Sequence, residues 1–353
     1  PLTAFPGPSA LYEFQGMPMG ASNSSQAFQE RMDAILAGTG AMCYVDDILV
    51  GGTSFADHLQ SLRRVFEALR VAKLRLGPAK CRLFRTRGVP FLGHFIDAEG
   101  ARPNPEKVEA MRQMPPPQCA KQLKSFLGMA GYYRRFIAGF AQMAAPLYAC
   151  TTKDIVWERV WTAETEEAWE AIKRALCEAP VLGHPDYTRP MLLESDASSI
   201  GAGAVLAQED EDGIHHPLEY VSHAFTTAQR KWSTYRKEAF ALTWAARKLK
   251  WHLEFVECTA LTDHRALASA EPGATDSLVQ RWFVKLAEDL PNLQIKWQPG
   301  SANVTADALS RLITPSEVYE TSVGTQTALL VRRSARLAGR IPPSESADLT
   351  VAE

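Results

Sequence analysis

Cysteine is sparse in this chain, and long apolar runs are missing. The 353 residues hold six cysteines (Cys43, Cys81, Cys119, Cys150, Cys177 and Cys258), at least 27 positions apart, with no Cys-x-x-Cys pair. That spacing argues against a zinc site and a dense secreted disulfide framework, and favours a reducing compartment. No apolar stretch reaches the ~18 residues a membrane span needs, and no signal-peptide pattern opens the chain, which starts with Pro1. Net charge is nearly absent too. With 38 Lys and Arg against 40 Asp and Glu, the formal total is −2, so the chain as a whole is not a basic nucleic-acid binder. What is there, 46% hydrophobic and 22% charged, is ordinary globular composition. At roughly 150 residues per domain it suggests two or three domains.

The charges are unevenly placed. Between Arg63 and Arg87 stand nine Lys or Arg and one acid, Glu67. Such a stripe can face a phosphate backbone, although a solvated helix face plus a charged hairpin is the simpler reading. The run Glu209-Asp210-Glu211-Asp212 beside Gly213 reads as a surface turn. Periodicity supplies the coarse structure. Leu59, Leu62, Val65, Phe66 and Leu69 recur at helical spacing and predict an amphipathic helix over 57–72. Asn104-Pro105 starts a helix, and Pro115-Pro116-Pro117 ends it. Leu123, Phe126, Leu127, Ala130, Phe136, Ile137 and Phe140 predict a further helix or helix pair, and 164–177 another. From about Arg189 the pattern changes to strands over 191–195, 201–208 and 218–224, then a long helical stretch from a Thr226 or Thr227 cap to about Leu253. Strands over 255–262 and 293–297, helical pieces around 264–270 and 276–289, and a last helix over 303–312 complete a mixed sheet with helices on its faces.

Four acids in this last module fall at element ends: Asp196, Glu238, Asp263 and Asp307. Gathered in one place they would repel strongly unless divalent cations neutralised them, and all-oxygen sites of this kind suit Mg²⁺. Two such ions about 4 Å apart activate a water and stabilise the leaving oxygen of a phosphodiester. Taken singly, each acid reads equally well as a cap or a surface group. A second dense spot is Tyr44-Val45-Asp46-Asp47, where apolar flanks predict a β-hairpin with both aspartates at its turn and favour metal binding for phosphoryl transfer.

Tyr44-Val45-Asp46-Asp47 resembles the Tyr-x-Asp-Asp turn of reverse transcriptases. Upstream, the run from Phe14 through Met17-Pro18-Met19-Gly20 to Asn23, with Gln26-Ala27-Phe28-Gln29, resembles the segment that supports template and incoming nucleotide. Phe91-Leu92-Gly93-His94 resembles the primer-grip hairpin, and Ser125-Phe126-Leu127-Gly128 with Tyr132-Tyr133-Arg134-Arg135-Phe136-Ile137 the thumb. Leu-Glu-Ser-Asp196, Tyr-Arg-Lys-Glu238, Thr-Asp263-His264 and Ala-Asp307-Ala-Leu-Ser-Arg then follow in the order of a ribonuclease H domain. The arrangement is similar to the polymerase–ribonuclease H region of gypsy-type long-terminal-repeat retrotransposons, from about residue 3 to 312.

The resemblance implies a mixed α/β (α+β) chain: a partial palm over 1–96, a helical thumb or connecting region over 97–185, and a ribonuclease H-like domain with a five-stranded mixed sheet over 186–312. Beyond Ile313 the Ser-, Thr-, Pro-, Ala- and Arg-rich composition, with weak periodicity, reads as a disordered tail or a linker over 313–353. It implies Mg²⁺-dependent hydrolysis of the RNA strand of RNA–DNA hybrids, with Mn²⁺ as an alternative ion. Asp196, Glu238, Asp263 and Asp307 would hold two metals, Asp196 bridging them, and Asp46 and Asp47 would hold the polymerase metal. Tyr44, Met19, Gly20, Gln26, Gly93 and His94 become nucleotide or nucleic-acid candidates by the same route. Many relatives carry a histidine in the loop before the last aspartate. Here the loop 298–303 has none, and His264 is the nearest substitute, for proton transfer or simply for capping and packing. Expected partners are the hybrid, template–primer nucleic acid and other pieces of a Pol polyprotein, in an intracellular setting and without a membrane. The family's first catalytic aspartate and its fingers precede the Met-Pro-Phe-Gly segment, and this sequence begins after them. Met19 stands where phenylalanine is usual, and Ser24-Ser25 where Ala-Pro is. The expectation is therefore that these residues alone cut hybrids but do not polymerise DNA, the alternative being a non-catalytic nucleic-acid-binding remnant.

Overall fold

A computed structural model describes residues 4–14, 16, 20–152, 156–268 and 276–299, and the chain divides into two compact units, Pro1–Lys107 and Val108–Glu353. The expected helix over 303–312, with Asp307, and the expected tail lie outside the described residues, as does Met19.

The first unit opens with a short antiparallel ladder of β1 (Phe5–Pro6) and β2 (Leu11–Tyr12), followed by helix α1 (Ser24–Leu36). The hairpin β3 (Met42–Tyr44) and β4 (Asp47–Leu49) comes next, then helix α2 (Phe55–Val71). Most of the expected apolar stripe is inward: Leu62, Val65 and Leu69 of α2 are buried, the last two against Met32 and Leu36 of α1, and Leu59 is half-buried, whereas Phe66 is exposed. The Ser54 hydroxyl caps α2 by accepting from the Asp57 N–H, a bond worth about 1 kcal/mol. Arg63, Arg64 and Arg70 lie on its solvated face, Arg70 paired with Glu67. A meander of β5 (Val89–Phe91), β6 (His94–Ile96) and β7 (Ala101–Pro103) closes the unit.

Helix α3 (Pro105–Arg112) leads into the second unit, where α4 (Ala120–Tyr132), α5 (Phe140–Ala149), α6 (Trp157–Val160) and α7 (Ala163–Cys177) follow. The aromatics of the predicted stripe are core: Phe126, Phe136 and Phe140 are buried, and the Phe126 ring packs 3.8 Å from that of Trp169. A five-stranded sheet follows, built from β8 (Met191–Ala197), β9 (Gly201–Glu209) and β10 (His215–Ala224), helices α8 (Thr227–Arg230), α9 (Thr234–Lys248) and α10 (Lys250–Leu253), β11 (Cys258–Thr262), α11 (Arg265–Ala268), α12 (Ser277–Asp289) and β12 (Leu293–Trp297). The strand order is β10-β9-β8-β11-β12, antiparallel on one side of β8 and parallel on the other. This is the mixed α/β architecture expected.

Two local expectations need correcting. The long helix over 226–253 is three helices, because Ser233 caps α9 with its hydroxyl while Thr226 and Gln229 form a capping box for α8. The fourth strand starts at Cys258 rather than Phe255, whose ring is 86% exposed.

The helices pack directly on the sheet. The Ala141 N–H of α5 donates to the Ser222 hydroxyl of β10 at 2.9 Å, and Gln142 Nε2 donates to the Ala202 carbonyl of β9 at 3.0 Å. This approach needs Gly201, since a Cβ there would lie 2.7 Å from both Gln142 Nε2 and the His223 carbonyl oxygen. No helix among the described residues is long and apolar enough to cross a membrane.

Candidate metal centre

The central strands of the sheet, β8 and β11, run parallel as neighbours, so their carboxyl ends open at the same edge. In open sheets of this kind that edge is where ligands are held. Asp196 is the penultimate residue of β8, and Asp263 directly follows β11. Helix α9 crosses beside them on small residues, Ala239, Ala241, Ala245 and Ala246, all completely buried. That close packing brings Glu238, in its second turn, to the two aspartates. One carboxylate oxygen from each of Asp196, Glu238 and Asp263 lies within 4.8 Å of the others, the only such group found among the described residues. Asp196 and Glu238 are buried, and Asp263 is exposed at the mouth.

This density of charge is visible in Glu238. Burial, together with the carboxylates of Asp196 and then Asp263, pushes its carboxyl up to about 9, against the downward pull of a hydrogen bond from the Ala197 backbone N–H. An all-oxygen donor set, half-buried and holding a proton for want of positive charge, fits a divalent cation such as Mg²⁺ or Mn²⁺. The three acids can therefore hold metal.

The framework around the trio is stapled. Arg236, two residues before Glu238, pairs with Asp276 at 2.7 Å, and Asp276 also caps α12. At the other end of α12, Lys250 pairs with Asp289 at 3.1 Å. His264 starts the turn into α11, its backbone N–H bound to the Thr262 hydroxyl at 3.2 Å, its ring 5.4 Å from that of Tyr235 and its Nδ1 buried without a hydrogen-bond partner among the described residues. Gln280 and Arg281 line a surface depression of about 480 Å³ with Lys285, while Trp282 packs inward beside Ala239, Leu267 and Val279.

In the first unit, Asp46 lies in the two-residue turn and Asp47 opens β4 opposite Tyr44, so one aspartate, rather than both, sits at the turn. Both are exposed, as is Tyr44. Val45 holds φ 55°, a conformation costing a β-branched residue about 1–3 kcal/mol. Gln29 offsets this: its Oε1 accepts from the Val45 N–H at 2.5 Å, and its Nε2 donates to the Cys43 carbonyl at 3.0 Å and to Asp33 at 2.7 Å. Sequence reading quoted Gln29 without giving it this task. Its position one helical turn before Asp33 was the available signal. Gly93 (φ 72°) follows Leu92 (φ 47°) in the turn joining β5 to β6, and His94 opens β6. Gly20 is exposed at φ 86°, and Gln26 is bound to Glu30.

Residues 1–96 match the reverse transcriptase (RNA-dependent DNA polymerase) family, and residues 161–260 match the RNase H-like domain found in reverse transcriptase. The chain is 35% identical over 319 residues to the retrovirus-related Pol polyprotein from transposon 297 of Drosophila melanogaster, covering 88% of this chain and 29% of that protein. It is 34% identical over 325 residues to the transposon Tf2-3 polyprotein of Schizosaccharomyces pombe, covering 89% and 24%. It thus spans about a quarter of the length of these relatives. A solved foamy viral protease-reverse transcriptase in complex with RNA/DNA hybrid shares the fold, with a TM-score of 0.72, 24% identity, and coverage of 91% of this chain and 43% of that one. By these matches the chain carries the reverse transcriptase and RNase H-like region of a long-terminal-repeat retrotransposon Pol polyprotein.

Proposed function

We propose that this region, of the gypsy type, hydrolyses the RNA strand of RNA–DNA hybrids through its second unit. The observation that carries the proposal is the convergence of Asp196, Glu238 and Asp263 within 4.8 Å at the carboxyl edge of the sheet. Those three acids would hold divalent cations, with Asp307 as a fourth by resemblance. A bound cation supplies charge neutralisation at the scissile phosphate and a more acidic water. The residues do the rest. Asp196 and Glu238, buried and packed, keep two carboxylates in fixed positions, and Glu238 gives up its proton when positive charge arrives. Arg236 fixes the α9 turn that carries Glu238 by its pair with Asp276. Selectivity for a hybrid would rest on groove width and 2′-hydroxyl contacts, with Gln280, Arg281 and Lys285 as backbone contacts near α12.

Asp46 and Asp47 have the polymerase role by resemblance. No third carboxylate among the described residues of that unit joins them within ligand distance, so primer extension is not proposed for these residues by themselves.

The test is incubation of the chain with a hybrid labelled on its RNA strand, in Mg²⁺, beside an Asp196→Asn variant and an EDTA control. Cleavage of the RNA strand lost in both controls is the expected result. Tight hybrid binding with no cleavage would reject the hydrolytic reading in favour of a nucleic-acid-binding remnant.

A further inference from the structure

Of the three carboxylates, Asp263 is the one that regular structure does not hold. Asp196 lies within β8 and Glu238 within α9, both buried, whereas β11 ends at Thr262 and Asp263 is exposed in the turn before α11. The neighbouring strand compensates. Trp297, the last residue of β12, pairs in register with Thr262, and its indole Nε1–H donates to the Asp263 carbonyl at 3.0 Å. The next backbone N–H, that of Gln298, donates to the Thr262 carbonyl at 2.9 Å. The ring of the indole is also used, since the Arg265 guanidinium lies 4.4 Å from its centroid. Arg265 is two residues beyond Asp263, so one indole touches the turn at the acid's own carbonyl and again just after it.

Trp297 is 40% exposed, and the core against β12 is made by Leu293 and Ile295. Its N–H is spent on one carbonyl, the one belonging to the least constrained acid of the trio. We propose that Trp297 is a positioning residue for Asp263, fixing the backbone from which that carboxylate reaches a divalent cation. This rests on the hydrolytic reading of the trio. It follows from the general need for metal-holding groups to be kept within about 0.5 Å of their working position by hydrogen bonds from neighbours.

The experiment compares the full chain with Trp297→Phe, which keeps an aromatic face for Arg265 and loses the donor. A second protein carries benzothienylalanine at 297, which keeps the indole shape with sulfur in place of the N–H. Calorimetric Mn²⁺ affinity is measured alongside kcat and KM on the hybrid. Loss of an orienting partner should weaken Mn²⁺ binding and lower kcat by about 10- to 100-fold. KM for the hybrid should stay within about twofold, since the nucleic acid is not held by the indole N–H. The isostere, which leaves packing intact, should show the same split even if the phenylalanine variant is less stable. Both altered proteins binding Mn²⁺ and turning over like a wild type that does both would overturn the proposal alone. A wild type that neither binds Mn²⁺ nor cuts the hybrid would overturn the hydrolytic reading and this proposal with it.

Discussion

Glu238 shows how one residue ties fold to chemistry. Its folded carboxyl, pushed up to about 9 by burial and by Asp196 and Asp263, binds a proton far more tightly than the same group does unfolded, where 4.5 is ordinary. Between those two values the unfolded chain has released the proton while the folded chain keeps it. The folded state is therefore favoured by this group below about 4.5, and that advantage is lost as pH rises towards about 9. Without metal, the second unit should lose about 4 kcal/mol between pH 5 and pH 8, and Glu238→Gln, which cannot ionise, should remove most of the slope. Urea unfolding in EDTA near pH 5 and near pH 8 measures this; an equal slope in the variant would assign the effect elsewhere. Sequence reading singled out all four acids as lying at element ends, although Glu238 sits inside α9 and periodicity alone could not pick the four from the 40 acids of the chain. What made three of them a site, the parallel pairing of β8 with β11 and the approach of α9, is non-local and was supplied by resemblance. Trp297 had no signal at all, because its hydrogen bond exists only once β12 lies beside β11.

Among the elements, the contact between α5 and the start of β9 is one that glycine makes possible. A methyl group at Gly201 would meet Gln142 and the His223 carbonyl at 2.7 Å, and the backbone carbonyl cannot move aside without disturbing the β9–β10 ladder. Gly201→Ala should cost about 1–3 kcal/mol by overpacking. Adding Gln142→Ala should recover part of that loss, so the double variant is less destabilised than the sum of the singles. Denaturant midpoints of the four proteins decide it, and simple additivity would refute the contact. The strands were legible from their alternation and the amphipathic helices from their spacing. Element ends were mixed. The Thr226 cap was read correctly, but Phe255 reads as strand by composition yet points into solvent, and the break at 233 depends on a hydroxyl cap within a stretch whose apolar period continues.

For the whole molecule, sequence reading separated a helical segment over 97–185 from a ribonuclease H-like domain over 186–312, while the folded chain from Val108 onward is one compact unit. The residues that join them, Gln142 with Ala202 and Arg135 with Glu219 at 3.5 Å, stand 60 or more positions apart and leave no periodic trace. Periodicity reports a helix's own face and says nothing of which strand will cover it. The central claim, that this unit assembles a metal-dependent nuclease site at the carboxyl edge of its sheet, is tested most directly by Mn²⁺. In crystals of the full chain soaked in Mn²⁺, anomalous scattering should place an ion within about 2.2 Å of oxygens from Asp196, Glu238 and Asp263. A map with Mn²⁺ bound elsewhere and none between these three acids would contradict the account.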